Sequence, residues 1–363
     1  MSAPSFTLEE AERYLLSLEL FGMRFGLDRM RRLMTALGNP QNAFDSIHVV
    51  GTNGKSSTTR MIAAILAGHG LRTGTYTSPH LVSFAERIQI GERDLEPAAF
   101  AAAVGRAAHA AELVNRSLAG GDRVTQFEAL TAAAYSELAL HGVDVAVIEA
   151  GLGGRYDATN VIPSKVQVLT SVGLEHTRWL GPTIGHIAAE KLDVVREGAT
   201  LVLGHGLHPD ALAVAREVAL AREARIVYAP ADPGVPVAAL GSFQRRNFAL
   251  ARAAAEAYLG ALDERAVADA AARTLVAGRL QIVGREPLTL LDGAHNPDGV
   301  AALVESLAEP FAAGRSPLVA VVSILDDKDA AGMLTALLPV CDALVCTTSH
   351  NPRALPAPTL QSL

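Results

Sequence analysis

The sequence predicts an α/β protein built on a mostly parallel, doubly covered sheet. Strand-length apolar runs alternate with helix-length ones, the helical runs are rich in alanine, and one β-branched strand runs directly into a glycine turn and a helix. At 363 residues, 50% hydrophobic and 19% charged, the chain is long enough for two domains and too apolar for disorder. Its formal net charge of −7 excludes a basic surface for nucleic acid or an anionic membrane, so an anionic ligand must be held locally by amides, a few cations or a metal. Apolar runs such as Val143–Ala150 and Leu318–Val322 are too short to span a bilayer. Met1–Glu10 has no secretory pattern, and Cys341 and Cys346, the only cysteines, read as reduced buried thiols, so the expected compartment is the cytoplasm.

Taken in order, Leu8–Leu20 and Leu27–Leu37 have helical spacing and are parted by Gly22 and Gly26. Ser46–Val50 is a strand, followed across a glycine turn by the helical Met61–Gly68. Pro97–Ala119 and Gln126–His141 are long Ala-rich helices. Val143–Ile148, Lys165–Thr170, Thr200–Leu203 and Arg225–Tyr228 read as further strands. After a Pro/Gly-rich stretch at Pro230–Pro236 come helices at Gly241–Gly260 and Leu262–Leu275. The pattern restarts with strand Leu288–Leu291, a helix from Pro297, strand Pro317–Val322, helix Asp329–Leu338 and strand Ala343–Cys346. No fixed-period repeat is present. The expected organisation is a large first α/β domain over 1–277, a linker over 278–285 and a second, smaller α/β domain over 286–363.

The strongest local signal is Gly51-Thr-Asn53-Gly54-Lys55-Ser56-Ser57-Thr58. Glycines let amide N–H groups converge on an anion at a helix N-terminus, Lys55 reaches phosphate, and a hydroxyl can face Mg²⁺. Asn53, Gly54, Lys55, Ser56 and Ser57 are therefore candidate ATP contacts. Glu149, at the C-terminal end of its strand, is a hard oxygen ligand where open parallel sheets place their ligands. Gly151-Leu-Gly-Gly154 is no dinucleotide fingerprint, because position 156 is Tyr. His176 follows another strand and, read alone, is more often a structural histidine than a ligand. Lys191 would ordinarily pair with Glu190 or Asp193 in solvent, and Arg245 and Arg246 could be no more than a solvated helix start.

The phosphate-loop segment resembles the shortened P-loop of the Mur ligase superfamily. Thr77-Ser-Pro-His-Leu-Val-Ser-Phe84-Ala-Glu-Arg-Ile88, Phe127-Glu-Ala-Leu-Thr131, Glu149–Asn160, Gly173-Leu-Glu-His176-Thr, Ala188-Ala-Glu-Lys191, Phe243-Gln-Arg-Arg-Asn247, Gly278-Arg-Leu-Gln281 and Leu291-Asp-Gly-Ala-His-Asn-Pro297 are similar to segments of folylpolyglutamate synthases and dihydrofolate synthases. The resemblance runs in order from about residue 10 to the end.

It implies an N-terminal P-loop ATPase domain and a C-terminal Rossmann-like glutamate-ligase domain. The implied activity is ATP-dependent addition of L-glutamate to 7,8-dihydropteroate, to a reduced folate, or to both, through an acyl phosphate. By resemblance, Ser78, Glu149 and His176 surround one Mg²⁺, and Lys191, carbamylated, serves a second. Asn247 contacts the adenine side, Arg279 phosphate and Asp292 the ribose, and His295 joins Lys55 and Lys191 as a catalytic residue. Phe25, Gly26, Phe84, Thr125, Tyr156, Asp157 and Ala158 are candidate folate contacts. The implied partners are small molecules, with no nucleic acid or membrane, and the expected state is a monomer. Leu192 stands where the family usually has Ala. Family members usually continue some tens of residues beyond Pro356, so the second domain is expected to be incomplete. A cell-wall Mur ligase and a catalytically impaired nucleotide-binding homologue remain alternatives.

Overall fold

The computed structural model describes residues 4–19, 26–307, 309 and 317–363, so Phe25 lies outside the described residues. The chain divides into two compact units, 1–236 with 247–274, and 237–246 with 275–363.

The first unit is an eight-stranded sheet. In chain order its strands are β1 (Asp45–Val50), β2 (Thr73–Tyr76), β3 (Ile88–Ile90), β4 (Arg93–Asp94), β5 (Val145–Glu149), β6 (Val166–Leu169), β7 (Thr200–Leu203) and β8 (Arg225–Tyr228). They lie in the spatial order β4-β3-β2-β5-β1-β6-β7-β8. Six strands are parallel, and β3 and β4 add an antiparallel edge beyond β2. That edge follows no alternation the sequence reading picked out, because β3 and β4 are only three and two residues long. The central β1 lies between β5 and β6, with Val49 opposite Glu149 and Val50 opposite Leu169. The turns leaving these three strands therefore open at one edge of the sheet, where a doubly wound fold receives its ligand.

The alanine content has a packing reason. Helices Pro97–Arg116 and Gln126–Leu140 pack on each other and bury Ala103, Ala107, Ala110, Ala129, Ala132, Ala133 and Ala134. Methyl side chains let two helices approach closely, and Phe100 and Tyr135 fill the remaining volume. Thr125 starts the second helix with a capping box: its Oγ accepts from Glu128 N at 3.3 Å, and Glu128 Oε2 accepts from Thr125 N at 2.9 Å. Further along the same face of the sheet, helices Ile184–Leu192 and Pro209–Ala221 pack on Leu169, Leu201 and Leu203, with Leu192 fully buried.

The second unit pairs β9 (Gln281–Arg285) antiparallel with β10 (Leu288–Leu291), and β11 (Val319–Val322) parallel with β12 (Ala343–Cys346). Helices Pro297–Ser306, Ala330–Leu337 and Ala357–Ser362 supply Val300, Met333, Leu334 and Leu360 to its small core. Two expectations change here. Residues 281–285 are a strand of this unit, not a linker. Residues 237–246 also belong to it, because Ser242 N donates to Ser306 Oγ at 3.1 Å, Arg245 pairs with Glu309 at 2.9 Å and Arg246 with Glu305 at 3.2 Å. Both arginines thus have acidic partners. Cys341 and Cys346 are free thiols, as expected, but half-buried.

The tight helix pair gives a stability test. Ala133→Leu should destabilise the chain by about 1–3 kcal/mol in urea titration, from overpacking. Leu140→Ala, at a side chain 66% exposed, should change it by less than about 0.5 kcal/mol.

Candidate active site

The phosphate loop is shaped by how closely β1 and β6 leave the sheet. Gly51 has φ +152°, and a Cβ there would collide with the Thr170 hydroxyl, so only glycine lets the turn pass. The loop is then stitched to the turn after β6. Thr52 N donates to Ser171 O at 2.8 Å, Asn53 N to Ser171 Oγ at 2.9 Å, and Thr170 Oγ1 to Asn53 O at 2.6 Å. Gly54 is the N-cap of helix Lys55–Gly68, and no side chain caps it, so its first-turn amides suit an anion. Asn247 packs directly on Gly54: a Cβ there would lie 2.5 Å from Asn247 Oδ1.

Two ammonium groups converge on one carbonyl of this loop. Lys55 Nζ donates to Gly51 O and Thr52 O, both at 3.1 Å, and Lys191 Nζ donates to Gly51 O at 2.8 Å. Lys191 is 4% exposed. Burial, aided by the nearby Lys55 charge, pushes its amine down to about 7. The acids expected to neutralise Lys191 are engaged elsewhere, since Arg155 pairs with Glu190 at 3.0 Å and lies 3.5 Å from Asp193. Among the described residues neither lysine has a carboxylate at ion-pair distance.

Beside them, the buried Glu149 accepts from Ser56 Oγ at 3.0 Å and from Ser78 N at 3.1 Å. Ser56 thus faces the acid, whereas Ser57 is turned inward at 2% exposure. This oxygen set suits a hard divalent cation. No group of three or more His, Cys, Asp or Glu side chains among the described residues could hold a metal alone. A cation at Glu149 would need ligand oxygens to complete its shell, which is how Mg²⁺ is usually held. His176 has φ +53° and caps helix Thr177–Leu180, with Nε2 3.7 Å from Glu175.

The segment from Gly151 to Asn160 is a rigid turn. Asp157, 6% exposed, accepts from Leu152 N at 2.8 Å, from Thr159 N at 3.0 Å and from the Thr159 hydroxyl. Burial raises its carboxyl above the usual range. Its carboxylate organises the turn, leaving the 37%-exposed Tyr156 as the outward side chain. Arg155 N donates to Glu190 O at 2.9 Å, and a Cβ on Gly154 would lie 2.6 Å from Lys191 O, so this turn leans on the helix that carries Lys191.

Of the other folate candidates, Thr125 is committed to its capping box, Ala158 is buried, and Gly26 (φ +120°) has open space where a Cβ would point. Phe84 is buried between His80, 4.3 Å away by ring centroids, and Arg87, 5.0 Å from its ring. Arg87 Nε donates to His80 Nδ1 at 2.9 Å. The segment before them is fixed by Glu86, whose carboxylate accepts from Leu81 N (2.9 Å), Val82 N (2.8 Å) and Ser83 N (2.7 Å). Arg87 and Phe127, whose ring covers Gly151 and stacks on Tyr76 at 6.0 Å, escaped the sequence reading as site-lining groups. The one available signal for Arg87 was a cation directly before an apolar strand.

In the second unit, Asp292 accepts from Leu280 N and Ala294 N, both at 2.7 Å, and burial raises its carboxyl. Arg279 Nη1 donates to Gly278 O at 3.4 Å. His295 Nδ1 lies 2.9 Å from Gly293 O, and Asn296 caps helix Pro297–Ser306 through Gly299 N at 2.8 Å.

Residues 278–362 match the family model described as Mur ligase, glutamate ligase domain. The dihydrofolate synthase/folylpolyglutamate synthase of Mycobacterium tuberculosis is 37% identical over 91% of this chain and 75% of its own length. The chain belongs to the folylpolyglutamate synthase/dihydrofolate synthase family. A Mycobacterium tuberculosis folylpolyglutamate synthase solved with ADP superposes with a TM-score of 0.90 at 35% identity, covering 97% of this chain and 84% of that one. A folylpolyglutamate synthase complex with AMPPCP and folate gives 0.87 at 34% identity, covering 93% and 89%. This member of the folylpolyglutamate synthase family is thus a ligase, with the phosphate loop, Glu149 and Lys191 gathered at one sheet edge. In it, Gly154→Ala should disturb the helix bearing Lys191. The expected result is a loss of about 1–3 kcal/mol in thermal or urea unfolding together with reduced ATP turnover.

Proposed function

We propose that the enzyme joins L-glutamate to 7,8-dihydropteroate, to a (poly)glutamylated reduced folate, or to both, at the expense of ATP. The observation carrying this reading is the pair of lysines on the Gly51 carbonyl beside an uncapped helix N-terminus and Glu149. A carboxylate is a poor electrophile because oxide is a poor leaving group. Its oxygen attacks the γ-phosphorus, the bond to the β,γ-bridging oxygen breaks, and ADP leaves with that electron pair. The glutamate amine then attacks the acyl carbon, phosphate departs, and the amine gives up a proton as the amide forms.

The chain's task is to bring anions together and keep water away. The loop amides at Asn53–Ser57 and the Lys55 ammonium would hold the β- and γ-phosphates, and Asn247 would flank the nucleotide. Asp292 and Arg279 are read as ribose and phosphate ligands, and His295 as a catalytic group of the second unit. Glu149, Ser78 and His176 would hold Mg²⁺, which when bound neutralises phosphate charge. Lys191, as a carbamate, would hold a second Mg²⁺; its burial, with no carboxylate at ion-pair distance among the described residues, supports this reading. The acceptor is read against Gly26, Phe84, Thr125 and the Tyr156-Asp157-Ala158 turn, Phe25 having been counted with them on the sequence. Two free cysteines suit a reducing cytoplasm. Among the described residues no helix is long and apolar enough to cross a membrane, and the reading is of a monomer with small-molecule partners.

Three measurements test this. Glutamate-dependent ADP release should appear with dihydropteroate or a reduced folate and vanish with EDTA; ATP binding without turnover on either, or turnover only on a UDP-linked precursor, overturns the reading. Lys55→Ala should lower kcat by roughly 100- to 1,000-fold while the chain stays folded. With ¹³C-bicarbonate, wild type should show a carbamate carbon resonance that Lys191→Ala lacks; no such resonance in wild type removes the second metal.

A further inference from the structure

His48 sits in the middle of β1, the central strand, at 0% exposure, where an apolar residue would be the ordinary choice. Its Nε2 lies 2.8 Å from Thr159 Oγ1. Among the described residues its buried Nδ1 has no hydrogen-bond partner, a cost an apolar side chain would avoid. Burial holds the imidazole neutral, pushing it down to about 3.

The hydrogen-bond directions follow from the neighbours. Asp157 accepts two amide N–H bonds, from Leu152 and Thr159, and so behaves as an acceptor throughout. The single Thr159 hydroxyl proton goes to Asp157 Oδ1. Thr159 Oγ1 must then accept from His48, which carries its proton on Nε2. The other tautomer would leave an orphaned buried N–H at Nδ1, a rarer and costlier arrangement than an unpartnered acceptor. Thr159 is held from a second side as well, by Tyr135 OH donating to its carbonyl at 2.9 Å.

We propose that His48 is a positioning residue for acceptor binding: through Thr159 it sets Asp157, and through Asp157 the 152–159 turn against which the acceptor's ring system rests. This rests on the acceptor reading of that turn given above. None of the hydrogen bonds in this buried chain reaches the phosphate loop, and its last member, Asp157, holds the 152–159 turn directly, so its effect falls first on the acceptor and much less on ATP.

Steady-state kinetics on the full chain provide the test. His48→Leu should raise KM for the acceptor by about tenfold, the worth of one buried hydrogen bond, with KM for ATP changed less than about twofold. His48→Gln, which keeps a donor near the Nε2 position, should recover most of that loss. Equal effects of Leu and Gln, or parallel shifts in both KM values, overturn the proposal. Tyr156→Ala, on the outer surface of the same turn, separates the two levels. If it leaves acceptor KM unchanged, the acceptor reading of the turn fails and the proposal with it. If it raises acceptor KM while His48→Leu does not, the positioning role alone fails. Should His48→Leu not fold, ¹⁵N histidine shifts of wild type decide: a neutral Nε2–H imidazole is required, and an Nδ1–H or doubly protonated ring overturns the proposal.

Discussion

The site depends on how closely β1 and β6 release their chains. Gly51 passes the Thr170 hydroxyl with no room for a methyl group, and from that contact the phosphate loop takes its path. The Gly51 carbonyl is thereby turned to where Lys55 and Lys191, from two different helices, can both donate to it. Carbonyl oxygens are weak counterions for amines, and burial makes a charged Lys191 more costly still, pushing its amine down to about 7. The Lys55 ammonium is thus set beside an uncapped helix N-terminus, two sources of positive potential at one place. A chain of net charge −7 can in this way bind a polyanion without any basic surface.

Local chemistry made much of this legible in the sequence. The strand–glycine–lysine–helix order fixed the phosphate loop, because each residue type there has a backbone or charge reason to occupy its place. Glu149 was readable as a strand-end acid. Strands Thr200–Leu203, Arg225–Tyr228, Leu288–Leu291 and Ala343–Cys346 fall where apolar β-branched runs put them.

What escaped was set by tertiary contact. β3 and β4 are too short to show a period. The engagement of Glu190 and Asp193 by Arg155, which leaves Lys191 to Gly51, depends on a turn that is far away in sequence. The place of 237–246 in the second unit rests on ion pairs more than fifty residues apart, and no window of sequence contains them. The reading of 278–285 as a linker missed β9 because that strand is exposed and uneven, lacking the apolar run that marked other strands.

Glu86 closes the segment before β3 by accepting three consecutive amides. That segment carries Leu81 and Val82 at 58% and 89% exposure, which would ordinarily suggest a loose loop. Here the carboxylate has already removed the backbone freedom, so the entropy of ordering was lost at folding and not deferred to an encounter. Two bare aliphatic side chains on a stiff mount present the same surface to every molecule that arrives. Their contribution to any contact comes almost undiminished by loop ordering.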